Sequence, residues 1–196
     1  RNYLIIQKND QSLEVSGKKI IGTEIIGWSA DQEAIITRSG RSYFLTDLSR
    51  PASALNLNLA FNNGKIKKIQ FHPQNNNQFF IQTEKGLYFL NTEALTVNQI
   101  TQGDILAFLS QANRIIFVKK GNLIFYDLNS KQQEIIPLNE KVGLIPDLIA
   151  SPSGELIVAE TADRYLYLIS QKSVLLLTDN GTNPQFSPDG KLISFI

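Results

Sequence analysis

One phrase recurs along this chain. Gln185-Phe186-Ser187-Pro188-Asp189-Gly190-Lys191-Leu192-Ile193 has worn copies upstream at Ile149-Ala150-Ser151-Pro152-Ser153-Gly154, Gln70-Phe71-His72-Pro73-Gln74-Asn75 and Gly27-Trp28-Ser29-Ala30-Asp31-Gln32. Ala107-Phe108-Leu109-Ser110-Gln111-Ala112 fills the remaining gap without a proline. The copies recur about every forty residues, and a period of that length assembled from short strands is the signature of β-propeller blades. Each copy carries an aromatic or small residue ahead of a polar turn: Trp28, Phe71, Phe108, Ala150 and Phe186.

Within each repeat, four apolar runs are separated by turn residues, which is the order of strands a, b, c and d of one blade. The runs are 24–28, 33–38, 41–46 and 54–59 in the first repeat, and 67–72, 78–82, 86–90 and 96–100 in the second. The third gives 105–109, 114–118, 122–127 and 133–137, and the fourth 146–150, 155–160, 164–170 and 173–178. Tight b–c turns are expected at Ser39-Gly40, Lys85-Gly86, Lys120-Gly121 and Ala162-Asp163, where a two-residue hairpin needs positive φ. Helical periodicity is nowhere sustained, and the apolar stretch 172–178 is too short to argue a helix against the surrounding pattern.

Both ends read as parts of blades, with 2–7 and 12–15 as strands c and d, and 183–187 and 191–195 as a and b. The expected fold is therefore an all-β propeller of four-stranded antiparallel blades. Its four full blades fall at about 21–62, 63–103, 104–141 and 142–181, with partial blade strands in 1–20 and 182–196. Shared between the termini, the last blade would close a five-bladed ring and set Ile5 beside Ile193, removing open strand edges. The alternative is an arc cut from a six- to eight-bladed propeller.

Nineteen basic and 18 acidic side chains leave a net charge of +1, without the basic excess of a nucleic-acid-binding domain. Cysteine is absent, which excludes disulfides, thiol catalysis and thiolate metal sites. The chain opens on Arg1 with no signal-like segment and no apolar run long enough to span a bilayer, so direct membrane insertion is not expected. It lacks methionine and stops inside an apolar run, as a processed or excised piece of a longer product would.

The Phe186-Ser187-Pro188-Asp189-Gly190-Lys191 stretch, preceded by Gly181-Thr182-Asn183-Pro184 and followed by Leu192-Ile193-Ser194-Phe195, resembles the WD-like repeat of the periplasmic TolB propeller family. Similar repeats build the N-terminal propellers of prolyl-oligopeptidase-type enzymes. The resemblance is strongest over 181–196 and weaker in the blades around Phe71, Phe108 and Trp28. It implies a fold in which the Ser-Pro-Asp-Gly element makes the a–b turn, and it brings no catalytic residue with it. Trp-Asp and Gly-His pairs are missing, so the repeats are unlike true WD repeats, and strand c ends instead in Thr46-Asp47, Leu90-Asn91 or Tyr126-Asp127.

Candidate chemistry is sparse. His72 is the only histidine, and it occupies the turn slot that serine fills at Ser151 and Ser187, which argues for a structural role and excludes multi-histidine metal centres. A carboxylate mechanism would have to use a pair such as Asp104 with Asp147 near the starts of strands a. No phosphate loop or calcium loop is present, and no cofactor is expected. Asn180-Gly181-Thr182 satisfies the glycosylation sequon but reads as an Asn-Gly turn.

One constellation stands above this background. The b–c and d–a loops of a propeller share a face, so Arg41, Lys85, Lys119, Lys120 and Arg164 would form a basic rim with Lys65 and Lys141. Such a rim would receive an acidic partner segment or an anionic ligand, although Glu84, Asp104, Glu140, Asp163 and Asp179 fall on or near the same loops. The reading that follows is a noncatalytic propeller that docks a protein or peptide, not nucleic acid, and works outside the cytoplasm in a bacterial periplasm or cell envelope. A second reading is the regulatory propeller of a prolyl-oligopeptidase-like hydrolase whose catalytic domain lies outside this chain. A sugar- or metabolite-binding propeller is weaker, resting only on Trp28 and Tyr43.

Overall fold

The computed structural model describes residues 7–8, 11–12, 20–22, 24–105, 107–111, 114–138, 145, 147–170 and 173–196. The chain divides into two compact units, Arg1–Gly103 and Asp104–Ile196. In the first unit, β1 (Gln7–Lys8) pairs with β2 (Gln11–Ser12). One four-stranded antiparallel sheet follows in the order β3 (Glu24–Trp28), β4 (Ala34–Ser39), β5 (Ser42–Asp47), β6 (Leu55–Asn56), with helix α1 (Leu57–Phe61) after it. The next is β7 (Lys68–His72), β8 (Asn75–Gln82), β9 (Gly86–Asn91), β10 (Thr96–Gln102).

The second unit holds the sheet β11 (Ala107–Gln111), β12 (Arg114–Lys119), β13 (Asn122–Asp127), β14 (Gln133–Pro137). Its second sheet is β15 (Asp147–Ala150), β16 (Ile157–Glu160), β17 (Leu166–Ile169), β18 (Val174–Thr178). The short pair β19 (Gln185–Phe186) and β20 (Ile193–Ser194) follows. These are the expected blades, strands a to d in chain order. The pairing of 2–7 with 191–195, and of Ile5 with Ile193, rests on residues outside the described ones.

Strand b carries each blade's burial. Ile35 and Ile36 in β4, Phe79 to Ile81 in β8, Ile115 to Phe117 in β12 and Ile157 in β16 are all fully buried. Consecutive buried residues on one strand require cover on both faces of the sheet, which explains why these runs are continuously apolar instead of alternating. In the first unit, one face of each sheet meets in a core that joins Ile36 and Tyr43 to Ile69, Phe79, Ile81 and Leu90. The second unit repeats this with Ile116, Val118 and Phe125 against Leu148, Ile157 and Ile169. The aligned Phe71 is buried in the first unit's core, whereas Phe108, also buried, pairs with Phe117 outside the second unit's core cluster. Trp28 departs from that alignment and is 39% exposed on β3.

The outer strand of the first blade is a correction to the sequence reading. Residues 54–59 were expected as strand d, since Leu55, Leu57 and Leu59 alternate, but the chain pairs for two residues only and then turns into α1. Leu57 and Phe61, one helical turn apart, are both buried, and Phe61 sets its ring edge-on to Tyr88 at 5.3 Å. Asn56 caps the helix by accepting from the backbone N–H of Asn58 and Leu59 at 3.0 and 3.3 Å. Asn62 closes it in the left-handed region at φ 46. The edge of β5 is not abandoned: the Asn58 side chain accepts from Tyr43 N at 2.7 Å and donates to Arg41 O at 3.3 Å. A side-chain amide here replaces the backbone of a fourth strand.

The a–b turns explain the recurring phrase. At Ser187 the backbone N–H donates to Leu192 O at 2.9 Å, Leu192 N donates back to the serine Oγ at 3.0 Å, and that hydroxyl donates to Asp189 Oδ1 at 2.6 Å. Asp189 also accepts from Lys191 N at 3.1 Å, and Gly190 takes φ 71. Ser29-Ala30-Asp31-Gln32 and Ser151-Pro152-Ser153-Gly154 build the same loop, with Ala34 N and Leu156 N donating to the serine Oγ at 2.9 and 3.1 Å. The left-handed position is Gln32 at φ 60 in one and Gly154 at φ 75 in the other. The c–d turns have their own cap, in which the side chains of Asn91 and Asp127 accept backbone N–H groups two and three residues on, and that of Asp47 accepts the one two residues on.

Candidate functional site

In a four-stranded antiparallel blade, the a–b and c–d turns lie at one end and the b–c and d–a connections at the other. The two ends handle charge differently. At the a–b and c–d end the carboxylates serve the turns. The Ser29 hydroxyl and the Glu33 N–H hold Asp31 below the usual carboxylate range, and the Ser49 hydroxyl and N–H do so for Asp47. Asp127 is lowered by the Ser130 N–H and hydroxyl, and Asp189 by the Ser187 hydroxyl and the Lys191 N–H. Three cations there are engaged too: Arg50 pairs with Asp47 at 3.3 Å, Lys191 with Asp189 at 3.9 Å, and Arg114 donates to Gly154 O at 2.7 Å. Lys131 is exposed on the β13–β14 turn, and at the other end of the first blade Arg38 pairs with Glu24.

Of the cations expected to form a rim, Arg41, Lys85, Lys119, Lys120 and Arg164 fall at the b–c end of their blades. In the first unit, Arg41 follows Gly40 in the β4–β5 turn and Lys85 precedes Gly86 in the β8–β9 turn. In the second, Lys119 closes β12, Lys120 and Gly121 form the turn at φ 50 and 71, and Arg164 sits at φ 67 before β17. Positive φ at both central residues is the hairpin geometry that matches strand twist. Arg41, Lys85, Lys120 and Arg164 are exposed, and their side chains make no ion pair with a described residue. Glu84 and Asp163 are exposed on the same turns. Lys65 is exposed in the connection to β7, while Lys141 and Glu140 lie outside the described residues.

Sequence reasoning did not find a cleft in the second unit. It has a volume of about 560 Å³ and opens between β15 and β19, the a strands of successive blades. Asp147, Glu160 and Asn183 stand at its b–c end, with Ala150, Pro152 and Phe186 along its wall. Asp147 and Glu160 are directly opposite in the β15–β16 register, and Glu160 accepts from Asn183 N at 3.2 Å. The signal available in the sequence was positional, since Asp147 and Asn183 both stand where a strand a begins.

His72 is half-buried, with its ring 5.7 Å from Phe80 and 6.4 Å from Phe89. Its Nδ1 accepts from Gln74 N at 3.2 Å, and burial pushes its pKa below the usual histidine value. This makes it a turn residue packed on aromatic rings, with no carboxylate or hydroxyl on its nitrogens among the described residues. Asp104 and Asp147 are both exposed, each with interactions of its own. Among the described residues, no group of three or more His, Asp or Glu could hold a metal ion, and no helix is long and apolar enough to cross a membrane. Tyr43 is buried at 5% exposure in the first unit's core, so Trp28 and Tyr43 do not form an open aromatic platform.

Four-stranded blades of about forty residues define a β-propeller of WD40-like repeats, although the Trp-Asp and Gly-His pairs are missing. Among 876 matching chains of solved structures is the β-propeller domain of Cps50 (Swd1) from Myceliophteria thermophila, with a TM-score of 0.62 and 14% identity. The alignment covers 87% of this chain and 66% of that one, so this chain spans just under two thirds of that propeller domain. The likeness is one of fold. No protein family matches the chain, and no curated protein does.

Proposed function

We propose that the chain is a noncatalytic propeller scaffold that docks a protein or peptide through the b–c ends of its blades, with acidic side chains on the partner. One observation carries this reading: an exposed cation with no ion-pair partner among the described residues recurs at the same turn of four blades, at Arg41, Lys85, Lys120 and Arg164. The fold alone is shared by proteins of unrelated function, so specificity has to reside in such turns. Glu84 and Asp163 on the same turns temper the field, which suits a partner with spaced carboxylates better than one with a dense acidic run. Lys119 and Lys65 extend the basic set in their respective units. A bacterial periplasmic or cell-envelope setting, which the TolB-like phrase at 181–196 suggests, belongs to the same proposal.

The test is binding of a fluorescently labelled peptide with spaced glutamates, read by anisotropy. Two double variants, Arg41→Glu with Lys85→Glu and Lys120→Glu with Arg164→Glu, reverse the charge in one unit each. At up to about 1 kcal/mol per exposed pair, each double variant should weaken binding about tenfold, and raising the salt should weaken the wild type. Wild-type binding that neither variant nor salt alters would refute the reading, as would no binding at all.

A further inference from the structure

Three dipeptides in this chain can close on themselves to a succinimide: Asn63-Gly64, Asn180-Gly181 and Asp189-Gly190. In each, the glycine backbone nitrogen is the nucleophile and the preceding side-chain carbonyl carbon the electrophile, and the absence of a glycine side chain leaves the approach open. The fold treats the three differently. Gly181 is buried, and its N–H donates to Arg164 O at 2.8 Å. Thr178 Cγ2 and Leu166 Cδ1 stand 2.7 and 2.9 Å from where a Cβ on Gly181 would be. Gly190 N donates to Ser187 O at 2.8 Å, and Asp189 Oδ1 is held by the Ser187 hydroxyl and by Lys191 N at 2.6 and 3.1 Å.

Asn63-Gly64 has none of these restraints. It lies beyond the helix cap Asn62, in the connection from α1 to β7, and both residues are exposed. Gly64 has φ 125, no heavy atom lies within 4 Å of where its Cβ would stand, and its N–H makes no hydrogen bond to a described residue. The Asn63 side chain likewise has no partner among the described residues.

We infer that Asn63 is a site of spontaneous deamidation that the folded chain leaves open while it protects Asn180 and Asp189. Gly64 N loses its proton to solvent base and bonds to Asn63 Cγ. The Cγ–Nδ2 bond breaks, and the side-chain NH2 takes up one proton, equal to the one Gly64 N lost, and leaves as ammonia. Water then adds to either carbonyl of the five-membered ring, opening it to aspartate or isoaspartate at position 63. The product places a new carboxylate two residues from Lys65, at the end of the first blade that also carries Arg41.

The test is incubation of the wild-type chain at mildly alkaline pH, with tryptic mapping over time. Peptide 42–65 carries Asn63 and peptide 173–191 carries Asn180, each followed through the mass gain of amide-to-acid conversion, with fragment ions placing the gain at Asn63 or Asn180. In the folded chain, 42–65 should convert about tenfold faster than 173–191, because closing the ring at Gly181 first requires its hydrogen bond to open. In strong denaturant the two should convert at similar rates, since both are then unrestrained Asn-Gly pairs. Equal rates in the folded chain would overturn the assignment, as would an Asn63 that stays intact when folded and converts only in denaturant.

Discussion

Gly86 opens β9 at φ 145, beside the point where β10 slips register between Gln99 and Thr101. A Cβ on Gly86 would stand 2.1 Å from Thr101 O and 3.1 Å from Gln102 Cα, both of them backbone. Gly86→Ala therefore carries two costs: about 1–3 kcal/mol for holding a side chain in that backbone region, and about 1–3 kcal/mol for overpacking against a strand that cannot rotate aside. The expected loss is about 2–6 kcal/mol, a large part of the roughly 5–15 kcal/mol that typically stabilises a domain. Gly40→Ala is the control in the same unit, since Gly40 has φ 60 and open space around its Cβ position, leaving about 1–2 kcal/mol of backbone strain alone. Urea unfolding followed through Trp28, the only tryptophan, reads both variants in the first unit. Equal midpoint shifts for the two would refute the steric argument.

Three further outcomes follow from the turns and the core. Gln32→Gly should raise stability by up to about 1 kcal/mol, whereas Gly190→Val should lower it by about 1–3 kcal/mol, since Gly190 has φ 71 and its Cβ would lie 3.2 Å from Pro152 Cδ. Calorimetric midpoints moving in the same direction would contradict this. The Thr46 hydroxyl is buried with no hydrogen-bond partner among the described residues, so Thr46→Val should stabilise by about 1 kcal/mol in chemical denaturation, and a clear loss would expose a partner for that hydroxyl. His72 has its pKa lowered by burial, so the folded chain holds fewer protons there than the unfolded one. Its contribution is complete above the ordinary histidine value of 6.5 and is lost as pH falls through that value towards the lower folded one. Between about pH 7.5 and 5.5 the wild type should lose more stability than His72→Phe, and parallel losses would remove His72 as the cause.

The blades were legible because their signals are local. A continuous apolar run such as Phe79-Phe80-Ile81 can only be a strand covered on both faces, and Ser187-Pro188-Asp189-Gly190 spells out its own turn. The last strand of the first blade was not legible, because Leu55, Leu57 and Leu59 fit a strand while Leu57 and Phe61 fit a helix, and only packing against Tyr88 decides between them. Trp28 aligned with Phe71 and Phe108 in sequence, but alignment fixes a position along the strand without fixing what covers it. The turn cations could be placed from sequence. Their lack of an ion pair among the described residues could not, and neither could the cleft beside Asp147, since both depend on which side chains the fold brings near.

Asn58 has a consequence for how this protein tolerates change. Where a blade ends in a full strand, its edge is held by main-chain groups that every residue except proline supplies, so substitutions there leave the pairing intact. In the first blade, the atoms that meet Tyr43 N and Arg41 O belong to one side chain. Beyond the two backbone pairs of β6, the cover of that edge is encoded by a single codon, and a point mutation at Asn58 removes both side-chain bonds at once.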